Sequence, residues 1–191
     1  MEELLPGDHW TVEIRDEITG TVSTGTNVVT EVTPTNISVR YTVTRSNKTR
    51  DEGYKGFITF DRSWNAIRSS AWQYFPYDGN TGIETPLAVG KTWAFQFNAV
   101  NNQSGVVWKW SGRSKVVDQE TVTTKAGTFE TFRIETTSSS SSLPAQTEEF
   151  VAVTWYAPAL AHWVKRSGIL RNDSRLRSNS TSELVEFGRK Q

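Results

Sequence analysis

Apolar and polar residues alternate along much of this chain. Between residues 37 and 44, isoleucine, valine, tyrosine and valine occupy the odd positions, and serine, arginine and two threonines occupy the even ones. Such alternation is the pattern of a β-strand with one buried and one solvated face. It recurs near residues 8–17, 91–99, 147–156 and 182–188, and no amphipathic helical period accompanies it. The pattern predicts an all-β protein and makes alternating βα units improbable.

The chain also repeats itself. Gly7-Asp8-His9-Trp10 opens one copy and Gly90-Lys91-Thr92-Trp93 opens the other. Later matches keep their order, while the offset grows from 83 residues (Trp10 to Trp93) to 98 residues (Arg68 to Arg166). We therefore predict one domain, residues 1–191, with internal repeats at approximately 7–82 and 86–188. It would consist of two tandem, similar antiparallel β-meanders that form a sandwich or an open barrel.

Turn signals separate the strand-like segments at spacings suited to such meanders. They are Thr19-Gly20, Asn47-Lys48, Glu52-Gly53, Asp78-Gly79, Asn101-Asn102 and Ala126-Gly127. Residues 76–82 are predicted to connect the two repeats. The Thr/Ser run at 136–142 is predicted to be a solvated, mobile loop, with the end of a long hairpin as the alternative.

Charge and composition exclude several classes of function. The 21 basic and 21 acidic residues give a net charge of zero, so the long-range field that attracts nucleic acids or anionic membranes is missing. Cysteine is absent, which rules out disulfides, thiolate metal sites and cysteine nucleophiles. No apolar run approaches a membrane span, and the residues after Met1 lack the pattern of a signal peptide. We expect an extracytoplasmic protein, periplasmic or secreted, whose signal peptide has been removed.

The motifs that suggest catalysis are weak, and we predict no catalytic residue, metal or cofactor. Gly90-Lys91-Thr92 lacks the earlier glycine of a phosphate-binding loop, because position 85 is Thr85. The two histidines, His9 and His162, are predicted to be structural or surface residues and not metal ligands. The segment 112–116 lacks the second glycine of a serine nucleophile elbow.

Paired carboxylates occur at residues 16–17, 51–52 and 148–149. Neighbouring residues on a strand point to opposite faces, so such a pair cannot flank one glycosidic bond. We expect solvated charges at turns and edges.

Tryptophan is the remaining candidate for function, since aromatic faces bury large areas and stack on sugars or apolar ligands. Trp10 and Trp93 lie in the inward phase of their strands and are predicted to be core residues. Trp108 and Trp110 share one face of a strand, with Lys109 between them, and are the pair most available to a ligand. The predicted ligand-binding residues are Trp108, Trp110, Trp72 and Tyr74.

Three segments of the second half resemble bacterial extracytoplasmic β-proteins of the TapB-like group, which is loosely related to the LolA and LolB lipoprotein-carrier folds. They are residues 86–93 (PLAVGKTW), residues 126–132 (AGTFETF) and residues 155–165, with WYAP followed by WVK. The resemblance implies a curved antiparallel sheet that holds an apolar ligand outside the cytoplasm. It implies no catalytic residue. The sequence predicts none of the helices that cover the open face of the carriers.

The sequence thus predicts a non-catalytic protein that binds a small apolar or carbohydrate ligand, with no nucleic-acid partner and no transmembrane segment. One alternative is a structural component that assembles through strand edges. A hydrolase with an unrecognised site is the other. These patterns predict no particular oligomeric state.

Overall fold

The computed structural model describes residues 4–45, 54–142 and 146–189. These residues form twelve β-strands and no helix, which confirms the all-β prediction. The predicted turns at Asn47-Lys48 and Glu52-Gly53 lie outside the described residues, as does the acidic pair at 51–52. The strands are β1 His9–Asp16, β2 Val22–Val32, β3 Asn36–Arg45, β4 Tyr54–Asp61, β5 Ala66–Ser69, β6 Trp72–Gly79, β7 Thr92–Asn101, β8 Val107–Thr124, β9 Gly127–Ser142, β10 Gln146–Ala157, β11 His162–Asn172 and β12 Arg175–Gly188.

The strands form one closed antiparallel barrel in which each strand follows its sequence neighbour and β1 pairs with β12. This pairing runs from His9 opposite Gly188 to Asp16 opposite Ser180. The sandwich and open-barrel predictions are therefore corrected to a closed barrel. Alternation reports that one face of a strand is buried, but it carries no information about which strands meet at closure.

The predicted repeat boundary falls between β6 and β7, so residues 7–82 contain β1–β6 and residues 86–188 contain β7–β12. The predicted connection at 76–82 begins too early, because β6 continues to Gly79. The repeat itself stays a prediction.

Strand lengths differ greatly around the barrel. The second half of β8 extends beyond its pairing with β7, and together with the start of β9 it forms a two-stranded arm, residues 117–131. The arm lies against the outer face of the barrel, where Lys125 Nζ is 2.6 Å from Glu13 Oε2 and Trp155 Nε1 donates to Glu120 Oε1 at 2.7 Å. Closure pairs most strand residues on both sides, so edges available for assembly are confined to the arm and to short segments such as residues 74–79 of β6, which β5 does not reach.

The Thr/Ser run at 136–142 belongs to β9 and is not a loop. Thr136 and Ser138 face the barrel interior, and Ser140 and Ser142 are buried. The mobile-loop prediction is wrong because hydroxyl side chains fit a strand whose inner face is polar, and pairing with both β8 and β10 holds this one.

The packed core fills the end of the barrel that we call the base. The base carries the connections at residues 33–35, 62–65, 80–91 and 158–161. Trp10 and Trp93 are only 3% and 6% exposed there, which confirms them as core residues. Two buried clusters meet at the base, and the connection at 80–91 contributes Ile83 and Leu87 to one of them. None of the described residues forms a helix long and apolar enough to cross a membrane.

Candidate functional site

The barrel encloses a cavity of about 770 Å³. The inward-facing side chains of the strands form its wall, so the alternation along each strand determines which residues face a ligand. Near the base, wall residues such as Trp10, Trp93 and His162 are buried. Toward the opposite end, Trp72, Tyr74, Trp108 and Trp110 are partly exposed. A volume of this size lies within the range of ordinary small-molecule sites.

One side of the cavity, which we call the aromatic wall, is formed by strands β4–β8. Its rings contact one another: the centroids of Phe97 and Trp110 are 6.0 Å apart with 3° between their planes, and Tyr74 lies 6.1 Å from Phe97. Burial raises the pKa of Tyr74, so its phenol stays protonated at neutral pH. The aromatic wall consists of Phe60, Trp72, Tyr74, Phe95, Phe97, Trp108 and Trp110.

Gly112 on β8 makes the aromatic wall possible at its centre. A Cβ at this position would overlap the Phe95 ring and lie 2.7 Å from the Cβ of Ser138. The absence of a side chain lets the ring lie flat against the β8 backbone, as glycine allows where a ring approaches a strand closely. The wall therefore depends on one glycine as well as on its rings.

The side next to it, which we call the polar wall, lies on strands β8–β11, where polar lining residues are interspersed with apolar ones such as Phe150 and Tyr156. Ser114 and Thr136 share a hydrogen bond between their hydroxyl oxygens, 2.9 Å apart. Glu148 lies on this wall and accepts a long hydrogen bond, 3.5 Å, from Asn172 Nδ2. The cavity lining thus combines an aromatic side with a neighbouring side that carries most of its polar groups. The polar wall consists of Ser114, Thr136, Ser138, Glu148, Thr154 and Arg166.

Among the described residues that line the cavity, Arg166 is the only lysine or arginine. The Arg166 side chain is exposed by its accessible surface, although many protein atoms surround it and this desolvation lowers the pKa of its guanidinium. The two observations agree if the accessible surface faces the cavity, where Arg166 lines the wall. Its Cζ lies 5.9 Å from the centroid of the Phe150 ring. The Phe150 ring in turn packs over Gly168, at 3.2 Å from the position of a Cβ.

The floor of the cavity is a cluster of four rings at the base. The His162 ring lies 4.3 Å from Trp10, 5.1 Å from Trp64 and 4.8 Å from Trp163, measured between centroids. Burial lowers the pKa of His162 to about 4, although its bond to the Trp163 carbonyl acts in the opposite direction. That carbonyl can only accept, so Nδ1 carries the proton and Nε2 is an acceptor. The histidine is neutral at physiological pH.

Trp64 seals the floor from an unusual backbone conformation. Its φ is 64°, in the left-handed region that is disfavoured for a bulky side chain. Asp61 Oδ1 accepts from the backbone N–H groups of Ser63 and Asn65, which fixes this connection. Asn65 Oδ1 then accepts from Thr81 and Gly82, tying the connection at 62–65 to the one at 80–91. The loops of the base are therefore one hydrogen-bonded unit.

All four predicted ligand-binding residues, Trp108, Trp110, Trp72 and Tyr74, line the cavity. The structure brings them together on the aromatic wall, across strands β6–β8. Sequence reasoning missed Phe97, which connects Tyr74 to Trp110, and it missed Arg166. A signal for Arg166 was present, because this arginine shares the phase of Val164, Gly168 and Leu170 on β11.

The residues considered for catalysis do not converge. Among the described residues no three His, Asp or Glu side chains lie close enough to hold a metal ion. Lys91 Nζ donates to the carbonyls of Glu84 and Pro86, at 2.7 and 3.0 Å, so it fastens the connection at 80–91. Backbone hydrogen bonds from Thr19 and Ile18 lower the pKa of Asp16, a turn residue. The absence of an enzyme activity stays a prediction.

Part of the chain is similar in sequence to a known protein family. The model of the DUF3108-like family matches residues 94–174, which run from β7 to the turn after β11. No curated protein matches the chain in sequence. The relation to the TapB-like group and to the LolA and LolB carriers is not among these matches.

Solved structures share the fold over nearly the whole chain. A provisionally assigned exported protein with a YmcC-like fold from Bacteroides fragilis is 15% identical, with a TM-score of 0.59 and 97% of each chain covered. A provisionally assigned lipoprotein from Parabacteroides distasonis is 15% identical, with a TM-score of 0.60 and 96% of each chain covered. The hypothetical lipoprotein YmcC from Escherichia coli is 9% identical, with a TM-score of 0.53, covering 98% of this chain and 91% of its own. At these identities the likeness concerns the fold.

Proposed function

We propose that this protein is a non-catalytic extracytoplasmic binding protein that holds an apolar ligand inside its barrel. The observation that carries the proposal is the 770 Å³ cavity with its aromatic wall. Burying an apolar body against such a wall releases water from both surfaces, at roughly 25 cal/mol per Å² of apolar area. Interior aromatic surface of this extent is not needed to close a barrel, since side chains that meet across the centre would stabilise it better.

The proposed location outside the cytoplasm is supported by the descriptions of the structural neighbours, which are exported or lipoprotein assignments. The TapB-like and lipoprotein-carrier resemblance of the second half supports the same place and an apolar ligand. Fractionation of the native host tests it: we expect the protein in the periplasmic, membrane-associated or secreted fraction. Recovery with the cytoplasmic fraction alone would contradict the proposal.

A carbohydrate is the second candidate, favoured by one observation. The parallel rings of Phe97 and Trp110 offer a flat face beside a wall of hydroxyl groups, which suits stacking on a sugar ring. A soluble oligosaccharide that displaces a neutral apolar probe from the cavity would favour this candidate over the first.

The test of the main proposal is a fluorescence titration with the neutral apolar probe N-phenyl-1-naphthylamine. We expect saturable enhancement with wild-type protein and weaker binding, by about tenfold, to Trp110→Ala. The matched control is Phe75→Ala, because Phe75 is 50% exposed and lies next to Tyr74 but outside the lining. Absence of saturable binding, or equal effects of the two variants, would overturn the proposal.

A further inference from the structure

Arg166 places a positive charge at mid-height in the cavity. It lies on β11, four residues from His162 at the floor, which corresponds to about 13 Å along a strand. Its register partners are Thr154 on β10 and Ser182 on β12. Thr154 also lines the cavity, so the arginine shares the inward phase of its neighbours.

This charge has no counter-charge within the described chain. No carboxylate of residues 4–45, 54–142 and 146–189 forms an ion pair with Arg166, and its guanidinium donates no hydrogen bond to them. Glu148 is the single carboxylate among the described lining residues. It lies six residues from Thr154 along β10, a backbone separation of roughly 20 Å, and it forms no ion pair with Arg166.

The surroundings of Arg166 hold its side chain without using its donors. The Phe150 ring lies beside the guanidinium at a distance typical of a cation–π contact. None of the described residues accepts a hydrogen bond from the guanidinium, so its N–H fork is available to a ligand. An oxyanion can accept two parallel hydrogen bonds from that fork, the strongest arrangement available to arginine.

From this geometry we infer that the ligand carries an acidic group, a carboxylate or a phosphate, and that Arg166 binds its oxygens inside the cavity. The inference rests on the proposed function and makes it more specific. The acidic group would lie against the polar wall at β10 and β11. The apolar body would lie across the cavity against the aromatic wall of β6–β8. The ligand is thus an amphipathic acid held in one orientation.

The test compares ligands that share one chain and differ at one end. The experiment measures the displacement of N-phenyl-1-naphthylamine by oleic acid, oleyl phosphate and oleyl alcohol. Each competitor is used below the concentration at which it aggregates. For wild-type protein we expect the acid or the phosphate to displace the probe at about one tenth or less of the alcohol concentration. The better of the two anions identifies the acidic group as a carboxylate or a phosphate.

Substitutions of Arg166 distinguish the effect of its charge from the effect of its packing. In Arg166→Met the advantage of the anions should disappear while displacement by oleyl alcohol is unchanged, and Arg166→Lys should keep part of the advantage. Arg171→Met is the matched control, because Arg171 lies on the same strand outside the cavity lining and should behave as wild type.

The outcomes distinguish the two proposals. Equal displacement by oleic acid, oleyl phosphate and oleyl alcohol in wild-type protein would overturn the role of Arg166 and leave the apolar site intact. Failure of the probe itself to bind would instead overturn the proposed function. An anion advantage that survives in a folded Arg166→Met variant would also overturn the assignment of this residue.

Discussion

The indole Nε1 of Trp64 donates a hydrogen bond to the backbone carbonyl of Ala161 at 2.8 Å. The two residues are 97 positions apart and belong to different connections at the base, one after β4 and the other after β10. Both have positive φ values, 64° and 52°. One side chain thus joins two strained turns across the end of the barrel and seals the floor of the cavity.

Replacing Trp64 with phenylalanine should lower the free energy of unfolding by about 1–2 kcal/mol. The variant loses the hydrogen bond to Ala161 and part of the contact with Trp10 and His162. Urea denaturation measures the change. Trp72→Phe is the control, since no described group accepts from its indole, and it should change the stability by about 0.5 kcal/mol or less. Equal effects of the two substitutions would show that the cross-barrel bond contributes nothing.

The buried His162 should make the protein less stable as the pH falls from 7 to 5. Its pKa is about 4 in the folded protein and near 6.5 in the unfolded chain, so the unfolded state binds more protons in this range. The free energy of unfolding then rises with pH between about 4 and 6.5, and the histidine contributes about 2 kcal/mol of the difference between pH 5 and pH 7.

Denaturation of His162→Gln at both pH values tests this. We expect the variant to be less stable at pH 7 but to lose about 2 kcal/mol less than wild type on acidification. The matched control is the same substitution at His9, a half-exposed histidine outside the cavity lining. A His162→Gln variant with the wild-type pH dependence would contradict the neutral state of this ring.

Adding one methyl group at Gly112 should destabilise the protein by about 1–3 kcal/mol, because the new Cβ overlaps the Phe95 ring. Gly168→Ala is the comparison: its Cβ would lie 3.2–3.3 Å from the edge of Phe150, a contact that a small shift of the ring relieves. We expect that change to be milder. Phe95→Leu in the Gly112→Ala background should restore part of the loss, which thermal denaturation can follow.

Arg166→Met should stabilise the ligand-free protein, by about 1 kcal/mol. An unpaired guanidinium inside the barrel costs free energy, although access of water to the cavity reduces that cost. The melting temperature of protein stripped of ligand by refolding measures the effect, with Arg171→Met as the control. Strong destabilisation by Arg166→Met alone would mean that the charge serves the fold and not a ligand.

The alternation of apolar and polar residues predicts most of the strands, but it predicts the residues of the cavity only in part. The alternation around Ile37 and Val39 predicted an inward phase, and both side chains are buried. Closure between β1 and β12 joins residues about 170 positions apart, and no local signal reports such a pairing. The sequence therefore predicted strands but not the cavity that closure creates.

Because closure cannot be read from local sequence, the sequence analysis predicted a loop in place of the end of β9 and did not identify Arg166 on β11. The Thr/Ser run was interpreted by its composition, whereas its hydroxyl groups form the polar side of an enclosed space. Arg166 follows a register shift near Trp155 and Tyr156, which interrupts simple alternation on β10 and β11. The phase of Arg166 along β11 can be read from the sequence, but the cavity that it faces exists only in the assembled barrel.

The most direct measurement of the central claim is native mass spectrometry of the protein purified from its own host, followed by the same measurement after denaturation. We predict a discrete excess mass on the native protein that disappears on denaturation and is found in the released fraction as an amphipathic acid. A bare native mass under conditions that preserve the fold, accompanied by discrete multimers, would contradict the account and favour an assembly component.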